Sequence, residues 1–73
     1  MTETKVLSEL NANVWRIEVQ PGAAVADGDT LMILESMKME IPVVAPAAGT
    51  VLSVAVQEGQ GVAEGDTLAV LAG

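Results

Sequence analysis

Apolar residues in this chain fall in short, partly alternating runs. Trp15–Val19 (WRIEV), Thr30–Glu35 (TLMILE), Thr50–Val56 (TVLSVAV) and Thr67–Ala72 (TLAVLA) are rich in branched side chains and read as β-strands. Turn chemistry separates them: Pro21-Gly22, Asp27-Gly28-Asp29, Pro46 to Gly49, Glu58-Gly59 and Glu64-Gly65-Asp66. Pro presets φ and Gly accepts φ > 0, so Pro21-Gly22 predicts a type II turn. Gly or Pro interrupts every window that might otherwise form a long helix. Turn signals roughly every eight to twelve residues predict a small all-β antiparallel sandwich or barrel of about eight strands.

The pattern also repeats. Val14–Leu34 aligns without a gap on Val51–Leu71 at an offset of 37, with 11 of 21 positions identical. Two equivalent units in one short chain imply internal pseudo-twofold symmetry, with four strands in each unit. The stretch between them, ESMKMEIPVVAPAAG, has no counterpart in the aligned unit, and Lys38 lies near its start.

Composition narrows the possibilities. Seventy-three residues make a single domain, 1–73, without room for a second core. A hydrophobic content of 51% excludes disorder, and the absence of cysteine excludes disulfides, thiolate nucleophiles and Cys-based zinc sites. Val, Leu, Ile and Ala are expected to carry the core, with Trp15, the one aromatic residue, packed among them. Ten acids against Lys5, Arg16 and Lys38 leave a net charge of −7. Such a surface repels phosphate backbones and anionic lipid, so neither nucleic acid nor membrane is an expected partner. The apolar stretch Ile41–Val56 is broken by Pro42, Pro46 and Gly49 and is not a membrane span. No basic, apolar leader is visible in the first twelve residues, and the cytoplasm is the expected location.

The segment Leu31–Val44 reads as two strands joined by a tight turn at Ser36-Met37-Lys38-Met39. Two-residue hairpin loops favour Asn-Gly, Asp-Gly or Gly-X, yet the centre here is Met-Lys or Lys-Met. A local sequence that opposes its apparent structure marks a place to look for function. Pattern alone leaves two readings open: an exposed methionine tip, or core methionines on an ordinary strand with Lys38 facing water. The repeat favours the first, because Lys38 sits where a specialised feature would be inserted.

ESMKMEIPVVAPAAGTV (Glu35–Val51) resembles the biotin-attachment motif of biotinyl domains, the carboxyl carriers of biotin-dependent carboxylases. Met-Lys-Met at a hairpin tip, a following Pro-x-x-Gly turn at Pro46 and Gly49, and the paired GDTL segments (Gly28–Leu31 and Gly65–Leu68) carry the likeness. So do the 35 residues that follow the lysine. The resemblance implies the biotinyl/lipoyl hammerhead, a flattened antiparallel β-barrel or sandwich of two four-stranded sheets. It implies that Lys38 carries covalent biotin, that Met37 and Met39 are read by a biotin protein ligase, and that Glu35 and Glu40 are the flanking acids. It also implies a non-catalytic carrier, monomeric as an isolated domain. Such a carrier moves carboxybiotin between a biotin carboxylase and a carboxyltransferase. Two departures stand out: Ser36 replaces the commoner alanine, and the first unit lacks the thumb insertion of some bacterial carriers.

Two other readings compete. A lipoyl domain also modifies a hairpin lysine, but usually within Asp-Lys-Ala, so the methionines favour biotin. A small barrel that only binds protein through its methionine hairpin is the second. The acids Asp27, Asp29, Glu64 and Asp66 lack calcium-loop spacing and are better explained as turn formers. Ser8, Ser36 and Ser53 have no histidine to activate them. The chain has no evident acid–base machinery of its own. Any acylation of Lys38 therefore needs an enzyme that deprotonates the amine and brings an activated donor.

Overall fold

Duplication governs the architecture more completely than the aligned segments alone indicate. In a computed structural model, which describes residues 3–73, the chain forms eight strands. They are β1 (Glu3–Leu7), β2 (Ala12–Ile17), β3 (Ala24–Val25), β4 (Thr30–Ser36), β5 (Met39–Val44), β6 (Gly49–Val54), β7 (Gly61–Val62) and β8 (Thr67–Ala72). A shift of 37 carries β2 onto β6 and β3 onto β7 residue for residue, β4 onto β8, and β1 onto β5. The duplication therefore includes the segment after Lys38, which is the mate of β1.

Two four-stranded antiparallel sheets result, ordered β1-β8-β6-β3 and β5-β4-β2-β7. Each half contributes two strands to each sheet, so neither half closes a core without the other. This is the flattened sandwich of the hammerhead, with extents of 36 × 18 × 17 Å. The two-residue strands β3 and β7 act as clasps: β3 pairs Ala24 and Val25 with Thr50 and Gly49, and β7 pairs Gly61 and Val62 with Asn13 and Ala12.

The core follows the same symmetry. Val14 and Val51, Val25 and Val62, Leu31 and Leu68, and Leu34 and Leu71 are buried mates. Met32 and Ala69, both fully buried, occupy equivalent sites with side chains of unequal volume. The expected aliphatic core is therefore present. Trp15 is not part of it.

Trp15 is 47% exposed. Register explains why: β2 pairs Val14 with Leu34 and Arg16 with Ile33, so Trp15 is the extra residue of a β-bulge. The bulge breaks strict alternation, leaving Val14 inside and both Trp15 and Arg16 on the solvent side. Its mate Leu52, bulged between Val51 and Ser53, is 45% exposed for the same reason.

Turns close as their residues dictate. Ala23 N–H donates to the Gln20 carbonyl at 3.0 Å around Pro21-Gly22, and Gly22 has φ 94°, as a type II turn requires. In the two Gly-Asp turns, Asp29 Oδ2 accepts from Ala26 N and Asp66 Oδ2 from Ala63 N, each at 2.8 Å. Those carboxylates are turn fasteners. The Pro46–Gly49 stretch bends through residues 46–48 into β6. Gly49 does not adopt positive φ; it opens β6, where a Cβ would run into the Ala72 carbonyl. Close backbone approach, not turn geometry, requires glycine there.

Candidate functional site

The ladder between β4 and β5 runs from Thr30 opposite Val44 to Ser36 opposite Met39. Met37 and Lys38 alone form the loop beyond it. Both have positive φ, 52° and 66°, and they are the only non-glycine residues with positive φ among the described residues. Two successive left-handed residues are what a two-residue hairpin needs to match strand twist. For side chains with a Cβ this costs about 1–2 kcal/mol per residue. Behind the tip, buried Leu34 and Met32 on β4 pair with half-buried Ile41 and Val43 on β5 and hold the turn in place.

The two readings of the methionines separate here. Met37 is 92% exposed and Met39 63% exposed, so neither is core. Lys38 is exposed between them, and no carboxylate comes within ion-pair distance of it among the described residues. Glu35 and Glu40 stand directly opposite one another one pair behind the tip, both exposed. Cross-strand like charges repel, and Asn13 rather than a cation flanks Glu35 on β2. The five residues singled out from sequence thus form one continuous hairpin end.

Its position is defined by the symmetry. The mate of the Glu35–Glu40 pair is Ala72 opposite Glu3. A cavity of about 530 Å³ lies between edge strands β1 and β5, lined by Val6, Leu10, Ile41 and Val43 among others. Lys38 is not among its lining residues. The hairpin therefore projects a primary amine outward, away from that cavity.

A lysine thus stands on a left-handed hairpin of a duplicated all-β sandwich. Comparison with known proteins agrees: the Biotin_lipoyl family, described as biotin-requiring enzyme, matches residues 5–71, and the chain belongs to this family. A biotinylated protein TB7.3 homolog from Mycobacterium leprae is 50% identical over 46 residues, 63% of this chain and 65% of that protein. A biotin/lipoyl attachment protein from Bacillus subtilis is 44% identical over 43 residues, 59% of each chain. The matches thus span about 60% of the length of these relatives. Among solved structures, Kluyveromyces lactis urea carboxylase superposes with a TM-score of 0.92 at 30% identity, over 99% of this chain and 6% of that one. A single-chain, multi-domain long-chain acyl-CoA carboxylase superposes with a TM-score of 0.86 at 35% identity, over 93% of this chain and 7% of that one.

Proposed function

We propose that this chain is a non-catalytic biotin carboxyl carrier whose Lys38 accepts biotin from a biotin protein ligase. The observation that carries this reading is the tip itself: Lys38 at φ 66°, exposed between two exposed methionines and free of any ion pair among the described residues. Relatives named as biotinylated or biotin/lipoyl attachment proteins, and similar folds inside two carboxylases, support it.

The residues fit the cofactor. An amide forms when the neutral Nζ of Lys38 attacks an activated biotin carboxyl carbon and the activating group departs with the C–O bond pair. The ligase takes the ammonium proton, because the hairpin offers no base of its own. Rigidity is what the chain contributes: a prefolded hairpin enters a pocket with little ordering cost. Bound biotin supplies a ureido nitrogen that carries a carboxyl group. Lys38 then acts as the tether, raising effective concentration at a biotin carboxylase site and a carboxyltransferase site in turn. Met37 and Met39 are contacts for the ligase, their flexible thioethers suiting an adaptable surface. Glu35 and Glu40 flank the acceptor. The carrier is monomeric and works in the cytoplasm, where a ligase and ATP are at hand.

Intact mass tests the assignment. Incubation with a biotin protein ligase, biotin and ATP is expected to add one biotinyl group to the wild type and none to Lys38→Arg. Lipoylation by a lipoate ligase with no biotinylation would overturn the cofactor assignment.

A further inference from the structure

The two outer sheet faces, equivalent in backbone, differ in chemistry. On the sheet that carries Lys38, the β2 bulge presents Trp15 and Arg16, with the guanidinium 5.5 Å from the indole centroid. Ile33 lies opposite Arg16, and Glu35 and Glu40 continue the face to the hairpin. The mate face offers Leu52 and Ser53 in the bulge, with Val70 opposite Ser53 and Ala72 where Glu35 stands. The sole aromatic residue and one of three cations in the chain are thus placed on the lysine side only. Nothing in folding asks for that difference, since Leu52-Ser53 fills the same bulge.

Resting on the proposed acceptor role of Lys38, we infer that this face, centred on Trp15 and Arg16, is the docking surface for the enzyme that acylates Lys38. Contact area argues first. Specific recognition buries about 800 Å² per partner, and the whole domain exposes only 4489 Å². A two-residue tip does not supply that area, so contact must continue onto a neighbouring face. Four register steps separate Lys38 from the bulge, roughly 13 Å along the strands. Trp and Arg are the side chains most often central to binding energy, the indole supplying apolar area and the stacked guanidinium being held ready. Charge argues second. Arg16 is already balanced by Glu18 at 3.7 Å, whereas Glu35 and Glu40 form no ion pair among the described residues. The complementary partner surface is an apolar slot with a basic rim on the tip side.

The test converts one face into the other. Trp15→Leu with Arg16→Ser installs the dipeptide that the mate bulge already tolerates, and Leu52→Ala serves as the opposite-face control. Steady-state biotinylation of the unmodified full chain by a biotin protein ligase is followed, with thermal unfolding alongside. The double variant should raise KM for the protein substrate about tenfold, as expected for loss of about 1.4 kcal/mol of binding, with kcat unchanged. Leu52→Ala should leave both constants at the wild-type value. An unchanged KM in a folded double variant overturns the docking surface while leaving Lys38 as acceptor. Failure of the wild type to be biotinylated at all overturns the acceptor role and this inference with it.

Discussion

The hairpin end and its pseudo-twofold mate are built from equivalent strands in the same register, and they differ in the side chains they present. β4 and β5 meet in Ser36-Met37-Lys38-Met39; β8 and β1 meet as Ala72 opposite Glu3. Behind each end stand buried mates, Leu34 and Leu71, Val14 and Val51. The difference separates the buried positions that the halves share from the exposed ones that they do not. The lysine, the exposed methionines, the opposed acids and the Trp15–Arg16 pair all lie on the unshared side.

Symmetry of the core is the first thing to break. Leu34→Ala and Leu71→Ala should each destabilise the domain by about 2–5 kcal/mol in urea unfolding. Similar values are expected because the mates are 1% and 4% exposed. A much smaller loss at Leu71 would mean that the two ends are not mechanically equivalent. Gly49→Ala comes next. Its mate is Ala12, which keeps its Cβ, whereas a Cβ at Gly49 meets the Ala72 carbonyl. Thermal unfolding should show a loss of about 1–3 kcal/mol, typical of overpacking; no loss would show that the β8 end can yield.

Smaller effects sharpen the contrast at the tip. Met37 at φ 52° should be stabilised by Asn, which tolerates the left-handed region, by about 0.5–1 kcal/mol. Slower biotinylation should accompany that gain, since the variant removes one ligase contact. Unchanged stability would show that the turn carries no strain. Least of all, Glu40→Gln should add about 0.2–0.5 kcal/mol at low salt by relieving its repulsion with Glu35. The gain should fade as salt screens the pair, and a gain independent of salt would point to packing instead.

Much of this was legible in the residues, for identifiable reasons. Strands β4, β6 and β8 have enough branched side chains to register, and the offset of 37 revealed the duplication. Strands β3 and β7 were not legible, because two residues have no periodicity. The equivalence of β1 and β5 was hidden because the strands are short and share only Glu3/Glu40 and Val6/Val43, while Thr4, Lys5 and Leu7 align with Ile41, Pro42 and Val44. Exposure of Trp15 was missed because alternation is read with period two, and a bulge resets the phase. The glycine at 49 was visible but its cause was not, since the Ala72 carbonyl that crowds it lies 23 residues away in sequence. At the hairpin, the mismatch between Met-Lys and ordinary turn preference pointed to the right four residues, yet only the fold shows both φ values positive.

The most direct test of the acceptor hairpin is peptide mapping by tandem mass spectrometry after exhaustive treatment with biotin protein ligase, biotin and ATP. Lys5, on exposed edge strand β1, is an internal control within the same chain. The account predicts a biotinyl group on Lys38 alone. Label on Lys5 as well, or on Lys5 instead, would contradict it, because it would show that an exposed lysine suffices without the left-handed tip.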